Sequence, residues 1–470
     1  MMTNHISVAQ FCSAVRRKGA FALCLALRLV GQSLSGTRTV LLYLAAVSLV
    51  ALLGLAAPAG ASTVGCAGAP PGGPFDFPSL SAALSAGPLT NLTITVSGVC
   101  TEFVVVDGAQ NLRIIGTPGA TLMDRGDPDP GLAGFGAVLE IDNSQNVLLQ
   151  GLVIQLVSRP INVQIPGMLV SSSLVRVQQC RLEGAGASDG IDMYLSTVRL
   201  IGATVIENNN DGQGSGEGVY LQGPNAGLFL QRNASGCPLI QGSGDNGIWA
   251  SGGGANVQSG CATIQNNGFA GIYGELGATI QLSVAQASPG AIQIQNNAVG
   301  VVVVVGSRFG LNGPINIQGN TWEGVRLRSA SGSIGGTLGP MIQQNGTNPN
   351  PPCCAPTAGI SVANNSSLDL GGAQVTGNSA PGVLVQDDSS VRVIGPLTIT
   401  GNPIGVEVVN ASSAAFFLTP TITGNSTADV VCGPDSIAYG DLSAVGKTVC
   451  PQFKPQQNAV APPKHGKVTP

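Results

Sequence analysis

A three-residue pattern recurs through residues 190–410, with apolar first and third members, a variable middle member and a glycine in front. Nine copies begin at Ile191, Val219, Ile248, Ile272, Val301, Val325, Ile360, Val383 and Val406. The alternation has a period of two residues, which is typical of a β-strand with one buried face. The pattern therefore predicts one short strand per repeat, with the middle residue pointing away from the core.

A polar residue, usually asparagine, precedes each strand and marks the length of the repeat. The basal step is 23 to 25 residues, with occasional longer insertions, and the markers are Asn209, Ser243, Asn267, Asn297, Asn320, Asn345, Asn378, Asn402 and Asn425. This period predicts a solenoid whose coils stack their strands in parallel, about 4.8 Å apart. Asn tolerates the left-handed backbone of a tight turn, and its amide can bond to the Asn of the next coil. We therefore interpret the column as structural.

Less regular strands precede these repeats and indicate that the stack begins earlier. They are NLRIIG (111–116), NVLLQGLVI (146–154), LVRVQQCRL (174–182) and TVRLIGATVI (197–206). Before them, Leu80, Ala83 and Leu84 have helical spacing within FPSLSAALSAG (77–87). This segment predicts a short amphipathic helix that caps the open end of the stack, as solenoid ends require.

The phrase NSQNVLLQGLVI (143–154), the Asn turns and the coil length together resemble the right-handed parallel β-helix superfamily, which includes pectate lyases and polygalacturonases. The resemblance covers roughly residues 75–432. It implies an all-β fold, a right-handed single-stranded parallel β-helix. A left-handed helix of hexapeptides fits worse, because no six-residue register runs through the chain. Since this fold supports many functions, the resemblance leaves the activity open.

The N-terminal segment, residues 1–61, is typical of an export signal. It has five basic and no acidic residues, an apolar run at 40–57 and the small residues AGA at 59–61. We expect cleavage after Ala61, and an uncleaved membrane anchor is the alternative. This segment meets the membrane during export, so the protein is expected to be secreted, periplasmic or on the cell surface. Residues 451–470 lack periodicity and predict a disordered tail.

Nine cysteines lie beyond residue 61 and indicate an oxidising compartment. One coil separates Cys237 from Cys261, and Cα atoms on neighbouring coils lie within disulfide range. Two further pairs flank the ends of the β-helix domain, residues 62–450. The predicted disulfides are Cys66–Cys100, Cys237–Cys261 and Cys432–Cys450. No partner is assigned to Cys180, Cys353 and Cys354.

Charge and residue usage exclude several classes of function. Residues 62–470 hold 15 basic against 24 acidic side chains, so the clustered positive charge that nucleic acid requires is missing. Both histidines, His5 and His465, lie outside the coils, and no lysine occurs between Lys18 and Lys447. A histidine general base, a Ser-His-Asp triad and a His-rich metal site are therefore excluded within the coils. The His and Lys of the polygalacturonase signatures have no counterparts.

One fragment does resemble the polygalacturonases, because SDGID (188–192) is similar to their NTDGID segment. It contains Asp189 and Asp192, and Asp211 follows one coil later. Two carboxyl groups at a suitable separation suffice for glycoside hydrolysis, so these three residues are the catalytic candidates. However, NNNDG (208–212) has one Asp where the family has a pair, and DGI coincides with the Gly-apolar position of the repeat. Repeat structure alone is the competing interpretation.

The middle positions of the triplets supply a second candidate surface. On successive coils they are Asp192, Tyr220, Trp249, Tyr273, Val302 and Arg326. Three consecutive aromatic rings would form a ladder about 10 Å long at strand spacing. Sugar rings stack on such faces, and carboxylates accept hydrogen bonds from sugar hydroxyls. A loop that covers the rings is the alternative.

The leading hypothesis is a monomeric β-helix protein that binds polysaccharide, such as a cell-surface glycan, through Tyr220, Trp249, Tyr273 and Arg326. The alternatives are a carboxylate-dependent polysaccharide hydrolase and a structural or adhesive rod without catalysis.

No cofactor is predicted. Asp124, Asp127 and Asp129 within DRGDPDPG (124–131) have a spacing that could ligate Ca²⁺, but a solvated acidic turn is the preferred interpretation.

Overall fold

The computed structural model describes residues 60–70, 73–126, 136–157, 165–184, 189–210, 215–284, 292–348 and 357–451. The predicted export segment before Gly60 and the predicted tail beyond Pro451 lie outside these residues. Within the described ranges, no helix combines the length and the apolar character needed to cross a membrane.

The described strands form three parallel sheets. Sheet I contains Gly60–Gly65, Leu92–Ser97, Arg113–Gly116, Val147–Gln150, Leu174–Gln178, Thr197–Ile201, Gly227–Gln231, Asn256–Ser259, Thr279–Ser283, Arg308–Asn312, Ser331–Gly335, Ser367–Leu370, Ser390–Val393, Ser413–Phe416 and Ile437–Gly440. Sheet II contains Val99–Thr101, Thr121–Met123, Val153–Gln155, Arg181–Glu183, Val205–Glu207, Leu239–Gln241, Ala262–Gln265, Ile292–Gln295, Ile315–Gln318, Met341–Gln343, Gln374–Thr376, Thr398–Thr400 and Thr421–Ile422. Sheet III contains Val104–Asp107, Leu139–Asp142, Met168–Ser171, Ile191–Tyr194, Val219–Gln222, Ile248–Ser251, Ala270–Glu275, Val299–Val304, Glu323–Arg328, Ala358–Ala363, Val383–Val385, Ile404–Val408, Ala428–Cys432 and Thr448–Val449.

Each coil passes through the three sheets in turn. One coil, for example, consists of Arg308–Asn312 in sheet I, Ile315–Gln318 in sheet II and Glu323–Arg328 in sheet III. Each of these strands pairs in parallel with its counterparts one coil before and one coil after. The predicted all-β parallel β-helix is confirmed.

Aliphatic side chains fill the inside of the coils. Ile191 and Met193 are completely buried, whereas Asp192 between them lies on the outer face. The same alternation recurs along sheet III and confirms the predicted triplet. Each buried aliphatic side chain contributes about 1.5–3 kcal/mol relative to an exposed one, so the stacked columns hold the coils together.

The predicted capping helix is present as α1, Leu80–Ser85, with Leu80, Ala83 and Leu84 buried. Its first turn is satisfied by two side chains. Ser79 Oγ accepts from the Ala82 amide, and Glu102 accepts from the amides of Leu80 and Ser81 at 2.7 and 3.1 Å. The stack begins before this helix, because the strand Gly60–Gly65 already pairs with Leu92–Ser97. That strand includes Ala61, where cleavage was predicted.

The asparagine column forms a ladder of side-chain hydrogen bonds from Asn267 to Asn425. Each Nδ2 donates to the Oδ1 of the Asn on the next coil at 2.9–3.2 Å. The left-handed backbone, however, belongs to the residue in front, as at Asn266 (φ 55°) and Asn296 (φ 56°). We assigned the left-handed turn and the hydrogen bond between coils to one Asn, but neighbouring residues divide these two roles.

The three predicted disulfides are confirmed. Their Cα–Cα distances are 5.0 Å for Cys66–Cys100, 5.4 Å for Cys237–Cys261 and 4.5 Å for Cys432–Cys450. Cys180 is a buried free thiol, and its burial raises its pKa to about 11. Cys353 and Cys354 lie outside the described residues.

Candidate functional site

The outer face of sheet III carries the predicted column, and the strand register aligns its members. The aligned residues are Asp192, Tyr220, Trp249, Tyr273, Val302 and Arg326. Since parallel strands lie about 4.8 Å apart, neighbours in this column are close enough for their side chains to touch.

The aromatic ladder, Tyr220, Trp249 and Tyr273, consists of three partly exposed rings in mutual contact. The ring centroids of Tyr220 and Trp249 are 4.8 Å apart at an interplanar angle of 41°. Those of Trp249 and Tyr273 are 6.1 Å apart at 87°. The rings are neither fully covered nor fully open, and together they form a stepped apolar surface.

Glu275 supports the aromatic ladder from the side. Trp249 Nε1 donates to Glu275 Oε1 at 3.2 Å, and Ser251 Oγ donates to the same oxygen at 3.1 Å. The Tyr273 hydroxyl lies 3.5 Å from the other oxygen, Oε2. Burial, followed by the charge of Glu275, raises the pKa of Tyr273, so its hydroxyl stays protonated. The orientation of the indole is therefore set by a charge-assisted hydrogen bond.

A small apolar cluster ends the aromatic ladder beyond Tyr273. Val302, the next residue in the column, is 1% exposed. It packs in a separate cluster of buried and partly buried side chains, namely Ala270, Val299, Val302, Phe269, Tyr273, Val304 and Trp322. Neighbouring side chains thus cover Val302, although it occupies an outward position in sheet III.

Arg326, predicted to contact sugar, is engaged inside the protein. It is 6% exposed, and its guanidinium forms a bidentate pair with Glu323, which is completely buried. The Nε–Oε1 and Nη2–Oε2 distances are 2.9 and 2.5 Å. Because both charges are already paired, the structure does not place Arg326 on an open surface.

Beyond Tyr220 the column meets four carboxyl groups, Asp189, Asp192, Glu217 and Asp245, hereafter the acidic cluster. Asp189 and Glu217 each lie two residues before a strand of sheet III, on successive coils. The Glu217 amide donates to Asp189 Oδ1 at 2.7 Å. Asp192 Oδ1 is buried and has no hydrogen-bond partner among the described residues. The cluster therefore concentrates acceptor oxygens at one end of the aromatic ladder.

Burial is the main cause of the raised pKa values in the acidic cluster. It raises the pKa of Glu217 to about 9, with added contributions from a hydrogen bond to Asp189 and the charges of Asp189 and Asp245. The pKa of Asp192 lies well above its usual range, again through burial first and then through Asp189 and Glu217. Burial and Asp189 also raise the pKa of Asp245. Glu217 therefore holds a proton at neutral pH and can donate a hydrogen bond.

Sequence reasoning missed Glu217, Asp245 and Glu275. A signal existed for Glu217, because it precedes Val219 by the same two residues by which Asp189 precedes Ile191. Glu275 shares an outward register with Ser251 and could have been placed beside Trp249 in the same way. No comparable signal marks Asp245, which lies in the turn before its strand.

Three predicted site residues, Asp211, Asp127 and Asp129, lie outside the described residues. Asp124 is 2% exposed, and its Oδ1 accepts the Gly126 amide at 2.9 Å. The burial of Asp124 departs from the solvated acidic turn that we preferred, and the prediction that no cofactor is bound is not tested.

Among the described residues, one trio of potential metal ligands comes together, formed by Cys66, Cys100 and Glu102. The two sulfurs are joined in a disulfide, and Glu102 accepts the amides at the start of α1. Cross-linking and helix capping therefore account for this trio.

Solved structures that are similar to this chain include two epimerases. The A-module of the mannuronan C-5 epimerase AlgE6 from Azotobacter vinelandii is 14% identical, with a TM-score of 0.36, and the match covers 80% of this chain and 94% of that chain. The periplasmic alginate epimerase AlgG is 11% identical, with a TM-score of 0.35, covering 78% of this chain and 79% of that chain. At these scores neither likeness bears on activity. No protein-family model and no curated protein matches the chain.

Proposed function

We propose that this protein binds polysaccharide on the outer face of sheet III, through the aromatic ladder and the acidic cluster. The observation that carries the proposal is the contact of three partly exposed aromatic rings on consecutive coils, with carboxyl groups at one end. Contiguous apolar groups that remain partly exposed on a protein surface often mark binding sites.

The two parts of this surface supply complementary contacts to a glycan. Ring faces stack on the C–H faces of sugars, while carboxylates accept hydrogen bonds from hydroxyl groups. Glu217 shares its proton with Asp189 through a side-chain hydrogen bond, which leaves its other oxygen as a further acceptor. Because the aromatic ladder and the acidic cluster contain four carboxyl groups and no basic side chain, we expect them to prefer neutral or basic glycans over acidic ones.

Replacing Trp249 with Ala, alone and together with Tyr220→Ala, tests the proposal. Each stacked ring contributes about 1 kcal/mol or more, so the double variant should lose at least tenfold in affinity. Retention on a polysaccharide array, followed by calorimetry with the preferred glycan, measures the loss. Phe417→Ala is the matched control, since Phe417 is a 61% exposed ring outside sheet III. Equal retention by the wild type and the double variant would reject the aromatic site.

A second candidate is carboxylate-dependent hydrolysis of polysaccharide, favoured by the proton that Glu217 holds beside Asp189. Glycoside hydrolysis requires two carboxyl groups, one of which stays protonated near neutral pH and acts as the acid. Against it, the two groups hydrogen-bond to each other, which is closer than the ~5 Å or more between the carboxyl groups of glycosidases.

Release of reducing ends from a panel of neutral and acidic glycans tests this second candidate. Activity should disappear in Asp192→Asn and Glu217→Gln, while the aromatic ladder should keep these variants on the array with weakened affinity. A wild-type protein that releases no reducing ends from any member of the panel would exclude hydrolysis and leave the binding proposal untouched.

We also expect this function to operate outside the reducing cytoplasm, in a secreted, periplasmic or surface location, with the protein acting as a monomer. Three disulfides in one domain support an oxidising compartment. Cell fractionation and analytical ultracentrifugation of the exported protein test the two statements.

A further inference from the structure

A long groove runs along the outer face of sheet I, away from the residues used above. Its larger part has a volume of about 630 Å³ and crosses five consecutive strands, from Thr279–Ser283 to Ser390–Val393. A second depression of about 380 Å³ crosses the strands from Gly227–Gln231 to Thr279–Ser283. Both parts border Gln281, and together they extend over seven strands. At about 4.8 Å per strand this surface is close to 29 Å long, which suits an extended chain.

The floor of this groove is built from small and hydrogen-bonding residues. The outward residues that line it from coil to coil are Gln258, Gln281, Ser331, Ser333, Ser367 and Ser390. Gly310 keeps the floor low, because an added Cβ there would lie 2.6 Å from Gln281 Oε1. Hydroxyl and amide groups in this number match the hydroxyl groups of sugars.

Positive charge distinguishes sheet I from sheet III. The charged residues within the described strands of sheet I are Arg113, Arg176, Arg199, Arg308, Asp369 and Arg392. Those of sheet III are Asp107, Glu140, Asp142, Asp192, Glu275, Glu323, Arg326, Arg328, Glu407 and Asp429. The β-helix therefore has one wall with mostly arginine charges and another with mostly carboxylates.

Two arginines line the larger part of the groove, and Arg232 lines the smaller part. Arg308 is exposed and forms no ion pair within the described residues. Arg392 is held by a bidentate pair with Asp369, at 2.6 Å for both contacts, so the orientation of its guanidinium is set. The two lie three strands apart, or about 14 Å along the groove. A free guanidinium beside hydroxyl and amide groups is a site for a carboxylate or sulfate.

We propose that this groove binds a strand of anionic polysaccharide, with Arg308 contacting a carboxylate or sulfate group. The positive charges are too sparse for nucleic acid, whose phosphates require clustered Lys and Arg. The proposal does not depend on the aromatic ladder, because the two surfaces belong to different sheets and share no residue. A protein with both surfaces holds two glycans of different charge.

Calorimetry with sodium polygalacturonate, dextran sulfate and unmodified dextran tests the proposal. Wild-type protein should bind at least one of the two anionic glycans and should not bind dextran at this groove. Arg308→Ser should lower that affinity at least tenfold, and Arg308→Lys should retain most of it. Ser331→Asp, which places a carboxylate on the strand next to Arg308, should lower it by a similar factor. The two anionic probes distinguish carboxylate from sulfate recognition.

Arg113→Ser is the matched control, since Arg113 is an exposed arginine on the same sheet outside the groove. Its affinity should stay within twofold of wild type. An equal loss in Arg113→Ser and Arg308→Ser would show general attraction to polyanions and overturn the proposal. So would the absence of binding to both anionic glycans, or equally tight, Arg308-dependent binding of single-stranded DNA.

Discussion

Ser243 interrupts the asparagine ladder. Its amide N–H donates to Asn267 Oδ1 at 3.1 Å, but its buried hydroxyl has no hydrogen-bond partner in the part of the chain that the structure describes. One coil earlier, Asn209 is completely buried, and neither its Oδ1 nor its Nδ2 has a hydrogen-bond partner among the described residues. A buried polar group left unpaired costs about 1–3 kcal/mol. The ladder is therefore weakest between these two residues.

Ser243→Asn should complete the ladder and stabilise the protein by about 1–2 kcal/mol, because Asn209 would gain a partner. Room for the longer side chain exists at Gly218, which faces Ser243 as Gly247 faces Asn267. Urea denaturation measures the change. Ser243→Ala is the control, since it removes the hydroxyl without adding an amide, and a gain no larger than that of this control would contradict the prediction.

Glu217 should make the stability of the protein depend on pH. Its pKa rises from 4.5 to about 9 on folding, chiefly through burial. Between these values the folded chain keeps a proton that the unfolded chain releases, so stability falls as pH rises. Glu217→Gln should flatten this slope and improve stability at pH 9 by about 1–2 kcal/mol relative to pH 5.

Urea denaturation at pH 5, 7 and 9 measures this slope, with Glu183→Gln in sheet II as the control. The same slope in wild type and Glu217→Gln would show that the Glu217 carboxyl ionises as freely in the folded chain as in the unfolded one.

The glycine in front of each triplet sets how closely neighbouring coils approach. At Gly324, an added Cβ would lie 2.7 Å from the carbonyl oxygen of Gly359, 2.8 Å from Ile342 Cγ2 and 2.9 Å from Asn345 Nδ2. The backbone of the next coil and the asparagine ladder occupy the space that a side chain would need. The glycine in front of the triplet is thus required for neighbouring coils to pack at the turn between sheet II and sheet III.

Gly324→Ala should therefore destabilise the protein by about 2–3 kcal/mol, because a backbone carbonyl cannot move without breaking strand pairing. Gly253→Ala is the control, since an added Cβ there meets nothing within 4 Å. Its effect should stay within about 0.5 kcal/mol. Chemical denaturation of both variants gives the comparison, and equal effects would contradict a role in coil packing.

The ends of the rod differ from its middle, because each internal coil has two neighbours and a terminal coil has one. Helix α1 packs near the first coils, and Cys432–Cys450 ties the last ones. The final strands, Ile437–Gly440 and Thr448–Val449, are the most exposed strands at that end. Local opening is expected to start there.

Replacing Cys432 and Cys450 together with Ser should release this end while leaving the central coils intact. The disulfide closes a separation of 18 residues, which corresponds to about 3 kcal/mol in the chain-entropy model. Hydrogen exchange should accelerate over residues 433–449 and stay unchanged around Asn297. Uniform acceleration along the whole rod would contradict a locally acting cross-link.

Much of sheet III could be predicted from local features of the sequence. The period-two triplet predicted which side chains enter the core, and the repeat length placed Tyr220, Trp249 and Tyr273 on neighbouring strands, as the register shows. Both predictions succeed because a solenoid converts sequence spacing directly into spatial position. The Cys237–Cys261 disulfide follows from the same conversion, whereas the other two were predicted from their positions at the ends of the domain.

The exposure of the outward side chains and the charge state of the carboxyl groups, by contrast, depend on contacts between residues far apart in the chain. Val302 and Arg326 occupy outward positions but are buried, because Trp322, Phe269 and Glu323 pack around that part of the wall. The raised pKa of Glu217 and the groove beside Arg308 likewise depend on several coils at once. Side-chain packing and summed electrostatic fields act through space, so a repeat pattern locates these residues without saying what surrounds them.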